Sequence, residues 1–274
     1  MLSLTWFKSS QVYEYHPNFQ GINMILPEQE EVAGVLGRVF DAYNRSRGVI
    51  RPHFILSGES GSGKSHLIKV LAKERDIEVL EVNAAGLTKE GVSGNSLSKA
   101  LAPLRNMNHV GGIVIFVDEF DKLFTNGVGG DTHEALAGVQ NEFLTMLESD
   151  TASVFGDYGK YDKVPVSNVL FVFAGAFNGE ANLTHERMRE MGVRTEFLGR
   201  VALHFSTTRP SLQSLLDLVP ESNLLMEYLK AFSKQNQKKK IVNEIQAQIK
   251  MAYKKNAIGV RIVSQLVHQY FLQV

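Results

Sequence analysis

The chain has no cysteine, no net charge and no apolar run approaching the length of a membrane-crossing helix. Without cysteine there is no disulfide and no cysteine-ligated zinc. Without eighteen or so consecutive apolar residues, no membrane span is expected. The opening Met1-Leu2-Ser3-Leu4-Thr5-Trp6-Phe7-Lys8 lacks the basic region and long apolar stretch of a secretory leader, so a cytoplasmic setting is the expectation. Lys and Arg number 29, as do Asp and Glu, which removes any global attraction to a polyanion. No internal repeat or low-complexity tract is found. What remains is ordinary for a globular protein: 274 residues, 44% apolar and 21% charged, enough for one large domain with a small companion.

Against that background one stretch is specific. Gly58-Glu59-Ser60-Gly61-Ser62-Gly63-Lys64-Ser65 fills all four fixed positions of G-x-x-x-x-G-K-[ST]. The apolar His53-Phe54-Ile55-Leu56 supplies a strand before it, and Ser65 to Glu74 reads as a helix after it. In that setting the backbone curls so that successive N–H groups point at phosphates, and the helix N-terminus favours the anion. Lys64 reaches the outer phosphates and Ser65 offers its hydroxyl to Mg²⁺. The nucleotide-binding candidates from this segment run from Gly58 through Glu59, Ser60, Gly61, Ser62, Gly63, Lys64 and Ser65 to His66, with ATP and Mg²⁺ as the expected ligands.

A second element adds hydrolysis. Gly112-Ile113-Val114-Ile115-Phe116-Val117 reads as a strand buried on both faces, and it ends in Asp118-Glu119-Phe120-Asp121-Lys122. Charge at the C-terminal end of a buried strand lies where open α/β sheets bind ligands. Asp118 is the candidate Mg²⁺ holder beside Ser65, and Glu119 the candidate base that polarises the attacking water.

Strands are predicted over 54–57, 77–82, 113–117, 169–174 and 201–205, alternating with helices over 31–46, 96–106, 132–148 and 182–191. That alternation calls for an α/β parallel sheet sandwiched by helices. Ser206–Ser211 reads as a hinge, with Pro210 disfavouring helix before it. Helices over 212–219, 224–234, 242–255 and 260–272 follow, making a small helical lid. From Glu221 onward three acidic residues face nine basic ones. This surplus is either a nucleic-acid-facing patch or a solvated helical face, and the absence of interleaved aromatics favours the solvated face.

Ile113–Leu123 resembles the DEIDK element of AAA+ ATPases in the ClpX/HslU clade. Collinear stretches are similar too: Asn83–Gly91 to the segment before the first pore loop, and Gly138–Leu144 to a GVQQ-type helix. Val169–Phe177 is similar to the strand that precedes sensor 1, Glu196–Arg200 to the arginine-finger segment, and Gly259-Val260-Arg261 to sensor 2. The resemblance implies a P-loop NTPase αβα sandwich over residues 1–206 and a small helical lid domain over 211–274. It implies that Arg200, with Arg194 as fallback, completes a neighbour's site in a homo-oligomeric ring of six. It also implies that Arg261 reaches over the phosphates, that Ile25 and Leu26 line an adenine pocket, and that Asn178 is the nearest polar candidate for sensor 1. Taken without the resemblance, Arg200 reads as a surface ion pair.

Departures from the clade narrow the function. Gly91-Val92-Ser93-Gly94 carries valine where the first pore loop has an aromatic, so its grip on a peptide should be weaker. Ala152–Tyr161 reads as a second loop, whose Phe155, Tyr158 and Tyr161 either grip substrate or pack the loop. No IGF tripeptide lies between Phe177 and Arg200, and no zinc-binding domain is expected before residue 20, so partnership with a ClpP-type peptidase is not expected. The leading expectation is an ATPase that remodels or assembles a protein partner. The rivals are an ATPase serving nucleic acid through the basic lid, and a nucleotide-controlled scaffold.

Overall fold

The computed structural model describes residues 25–88, 95–124, 130–180, 183–201, 203–255 and 257–273. The five apolar runs become strands β1 (Phe54–Ser57), β2 (Glu78–Asn83), β3 (Ile113–Asp118), β6 (Val169–Gly175) and β7 (Leu203–Ser206), while β4 (Thr151–Phe155) and β5 (Tyr161–Pro165) form a separate hairpin. The main sheet is parallel throughout, in the order β2-β3-β6-β1-β7. Its side chains alternate between two cores. Ile113, Ile115, Val117, Phe171 and Phe173 enter one; Val114, Phe116, Leu170, Val172 and Ala174 enter the other.

Helices α1 (Glu30–Arg45) and α2 (Lys64–Lys73) close the second face with Leu36, Phe40, Tyr43, Leu67 and Ile68. Helices α3 (Leu97–Ala100), α4 (Gly130–Glu148), α5 (His185–Glu190) and α6 (Thr195–Arg200) cover the first. The ring of Phe197 on α6 stacks on Phe120 at 4.9 Å and meets Phe173 edge-on at 4.8 Å. Truncating such a buried aromatic to alanine costs about 3–5 kcal/mol, so α6 and the arginine at its end are firmly held.

Two expectations are corrected. The helix foreseen over 96–106 is α3 followed by a 3-10 turn over Ala102–Asn106, because Pro103 has no N–H to continue the α-helix. The segment read as a loop over 152–161 is mostly the β4–β5 hairpin. Ala152, Val154 and Val164 are buried on one side of it, and only Gly156–Lys160 turns. At its tip Tyr158 is fully exposed with φ 56°, while Phe155 and Tyr161 meet edge-on at 5.9 Å. Arg105 bridges to Asp157 (2.9 Å) and Asp162 (2.8 Å) across the turn.

Beyond β7 the chain crosses to α7 (Leu212–Glu221), α8 (Asn223–Ala231), α9 (Lys238–Ala252) and α10 (Arg261–Leu272). These four share a core of their own that includes Leu215, Leu225, Ile241, Ile245, Val263 and Val267. Leu26, from the other end of the chain, is part of the same core.

One buried group gives the sheet a pH dependence. His53, just before β1, accepts the Phe171 N–H at Nδ1 (3.1 Å). Burial, reinforced by Arg51, lowers its pKa to about 4. The unfolded imidazole takes its proton near pH 6.5, so the unfolded chain binds more protons between these values and stability falls as pH drops through that window. Urea unfolding at stepped pH is expected to show a loss of up to about 3 kcal/mol from this group between pH 6.5 and 4. His53→Asn, which keeps an acceptor without the titration, is expected to flatten that part of the profile; an unchanged profile would assign it to other groups.

Candidate nucleotide site

The phosphate-loop segment joins the C-terminal end of β1 to the N-terminus of α2, with Gly63 as the cap residue. Gly61 sits at φ 73°, and a Cβ there would collide with the Ile258 carbonyl, so the loop and the lid approach each other at a point where only glycine fits. Val260 donates its N–H to the Gly61 carbonyl (3.0 Å). Arg261 Nη1 donates to Ser60 Oγ (3.1 Å), which brings two of the candidates foreseen from sequence together across 201 residues of chain.

Lys64 is only 8% exposed, and its Nζ donates to the carbonyls of Gly58 (2.7 Å) and Glu59 (3.1 Å). Burial lowers its pKa; Asp118 and Asp121 counter that, and Arg261 adds to it. A buried ammonium in a curl of backbone, beside a helix N-terminus, is a receptor for an anion. Ser62 is buried, Glu59 and Ser60 are exposed, and Ser65 and His66 are half-buried in the first turn of α2.

Ser65 Oγ lies 3.4 Å from Asp118 Oδ2. One hydroxyl and one carboxylate are the donor set that Mg²⁺ takes when phosphate and water complete its shell, so these two residues fit that ion. The other Asp118 oxygen accepts the Glu119 N–H (2.9 Å). Glu119 is exposed and held at φ 55°, a left-handed conformation costly for a residue with a Cβ, directly at the end of β3.

Strand β6 lies between β3 and β1, so the turn that follows it stands between Asp118 and the phosphate loop. Asn178 is on that turn, exposed at φ 56°. The turn is pinned by Asp121, whose buried carboxylate accepts the N–H groups of Ala176 and Phe177 at 3.3 Å each.

Other candidates separate. Ile25 packs against the core under α1 and α2, whereas Leu26 is sunk in the lid core. Arg200 ends α6 before the start of β7, the neighbour of β1, whereas the phosphate loop leaves β1 at the other end of that strand pair. There it is paired with Glu148 and donates to the Glu196 carbonyl (3.1 Å). Arg194 meets Asn141 and Glu196 nearby. Gly91–Gly94 lies outside the described residues.

Sequence reasoning missed Gln29 and Thr207, which both reach Ser62. Gln29 Nε2 donates to the Ser62 carbonyl, and Thr207 Oγ1 is 2.6 Å from Ser62 Oγ. It also missed the neighbouring Glu28. That carboxylate accepts the Ser211 N–H (2.8 Å) and the Ser214 hydroxyl (2.7 Å) at the start of α7. Partial burial pushes its pKa up, but the hydrogen bonds from Ser211 and Ser214 outweigh this and hold it below the usual value.

Residues 54–197, from the first residue of β1 to Phe197 of α6, match the model of the ATPase family associated with various cellular activities (AAA). The chain belongs to the AAA ATPase family. The matched segment is a little over half the chain and contains the phosphate loop, Asp118, Glu119 and Asn178 of this AAA ATPase. It is similar to the ATP-dependent Clp protease ATP-binding subunit ClpX of Borrelia duttonii (strain Ly), 24% identical over 245 residues, covering 73% of this chain and 57% of the relative. ClpX of Treponema denticola is 28% identical over 229 residues, 72% of this chain and 52% of the relative. ClpX of Azotobacter vinelandii is 25% identical over 197 residues, 66% and 44%. The AAA ATPase thus spans about half the length of the curated relatives it matches. Among its described residues no helix is long and apolar enough to cross a membrane.

Proposed function

We propose that this AAA ATPase assembles into a ring of identical subunits, six in the reading the clade suggests. It binds ATP with Mg²⁺ and couples hydrolysis to remodelling or assembling a protein partner, with no protease of its own. The observation that carries the reading is the convergence of Lys64, Ser65, Asp118 and Arg261 on one loop while Arg200 precedes β7, at the other end of the β1–β7 pair from that loop. Lys64 and the loop N–H groups hold the phosphates, and Ser65 and Asp118 hold Mg²⁺, which neutralises phosphate charge. Glu119 takes the proton of a water as its oxygen bonds to the γ-phosphorus and the bond to the bridging oxygen breaks, releasing ADP. Asn178 orients that water. Arg261 makes the lid angle depend on what the loop holds, and Arg200 supplies positive charge to a neighbour's γ-phosphate.

The relatives' printed names attach them to a Clp protease, and that favours a protein partner over nucleic acid. The nucleic-acid reading retains one observation in its favour: Lys238, Lys239 and Lys240 open α9, where the helix end disfavours positive charge. Stimulation of hydrolysis by DNA or RNA, rather than by protein, would replace the first reading with the second.

Lys64→Ala tests the foundation. Lys64 is the ammonium built into the cradle, so the variant is expected to lose ATP binding as read by titration with a fluorescent ATP analogue. Near-native affinity would remove the phosphate-loop assignment.

A further inference from the structure

The phosphate loop is held by residues that lie outside its own segment. Ser62, within the loop, is 1% exposed; its N–H donates to the Glu59 carbonyl (3.2 Å), while its carbonyl and hydroxyl go to two elements outside the nucleotide-binding motif. Its carbonyl accepts from Gln29, on the segment preceding α1. Its hydroxyl meets Thr207 Oγ1 at 2.6 Å. Thr207 is the first residue past β7, where the chain turns toward the lid, and is itself 5% exposed. It is fixed to β1 as well, since its N–H donates to the Ser57 carbonyl (2.9 Å), with its hydroxyl 3.3 Å from that same oxygen. The fit is close: Gly58 has φ 150°, and a Cβ there would collide with the Thr207 hydroxyl.

We propose that Thr207 is a positioning residue for ATP binding, acting through the Ser62 hydroxyl to hold the loop in its phosphate-receiving curl. The proposal rests on the reading of 58–65 as the nucleotide cradle. A loop whose N–H groups must all converge on one anion loses affinity when its crest drifts, because every donor then pays for reorientation on binding. The hydroxyl contributes this only where threonine or serine stands. A valine has the same shape and packs in the same space, but it leaves Ser62 without its partner. The position also ties the loop to the lid, since Thr208 next door donates its hydroxyl to the Glu28 carbonyl (3.0 Å) and Ser211, three residues on, caps α7.

The test uses the full chain carrying Thr207→Val, Thr207→Ser, Ser62→Ala and the Thr207→Val/Ser62→Ala double, with Lys64→Ala as control. ATP affinity and the nucleotide-free melting temperature are read for each. Thr207→Val and Ser62→Ala are each expected to weaken ATP binding about tenfold, the scale of one buried hydrogen bond. The double is expected to be no weaker than Thr207→Val alone, because that variant already removes the contact with Ser62 together with the hydroxyl's contact to the Ser57 carbonyl. Thr207→Ser is expected to keep wild-type affinity. Affinity within twofold of wild type in Ser62→Ala, or a double near a hundredfold, would overturn the proposal. So would a Thr207→Val that lowers only the melting temperature. Should Thr207→Val fail to fold, Ser62→Ala and Thr207→Ser decide by the same criteria. If Lys64→Ala keeps ATP binding, the cradle reading fails instead, and the two failures are thereby told apart.

Discussion

Replacing Arg200 with alanine is expected to leave ATP affinity close to wild type and to cut hydrolysis by a factor on the order of 10³ or more. The expectation comes from where the strand order puts the residue. β7 pairs with β1 in parallel, Leu203 opposite Phe54 and Ser206 opposite Ser57, and the phosphate loop leaves β1 at the far end. Four extended residues span roughly 13 Å, and Arg200 precedes the first of them in the chain, on the side of the strand pair away from the loop. In its own chain it meets only Glu148 and the Glu196 carbonyl among the contacts described. An exposed ion pair of that kind is worth about 0–1 kcal/mol. If that were its whole role, Glu148→Ala would reproduce the defect; the expectation is that Glu148→Ala hydrolyses ATP normally. Activity per subunit should also rise with protein concentration, since a site completed by a neighbour needs the neighbour. Mixing Arg200→Ala with Glu119→Gln subunits should restore part of the activity, because some mixed interfaces join an intact Glu119 to an intact Arg200. No recovery despite confirmed co-assembly would confine Arg200 to its own subunit.

Glu119→Gln is expected to bind ATP and to turn it over at least about 100-fold more slowly. The amide keeps the size and hydrogen-bonding reach of the carboxylate but does not accept the proton of the attacking water. The backbone argues for the residue independently of the chemistry. Glu119 is exposed, follows the Mg²⁺ candidate Asp118, and is kept at φ 55° with its N–H on the Asp118 carboxylate. A strained residue at the functional end of a sheet is maintained by the surrounding structure and commonly marks a reacting group. Turnover within a few-fold of wild type would exclude Glu119 as the base. The same variant, stalled with ATP bound, is also the form with which to isolate a partner from extract.

The sheet and the cradle were legible in the sequence because their signals are local. Ile113–Val117 and Val169–Ala174 are unbroken apolar runs, and a strand buried on both faces has no polar residue to disguise it. Gly58–Ser65 carries its chemistry in eight consecutive letters. The supports of that loop leave no such trace. Gln29 and Thr207 lie 33 and 145 residues from Ser62, and a single long-range hydrogen bond imposes no spacing on the sequence. The β4–β5 hairpin escaped for a different reason. Its inward residues are the small Ala152 and the valines 154 and 164, set among Ser, Asp and Lys that read as turn. Leu26 as a wall for adenine rests on the resemblance alone; its burial against the lid left no trace in the sequence, because it follows from a fold that packs α7–α10 against the segment before α1.

That return has a consequence for the order in which the molecule is made. Leu26 leaves the ribosome long before α7–α10, and in the finished protein those helices cover it. Glu28 likewise waits for Ser211 and Ser214, and Gly61 for Val260. A nascent chain ending at β7 has all five strands of the parallel sheet but none of the lid residues that pack around Leu26. Its phosphate loop still lacks two of its partners, Val260 and Arg261, so the site takes its final shape only after α10 has begun to follow the sheet.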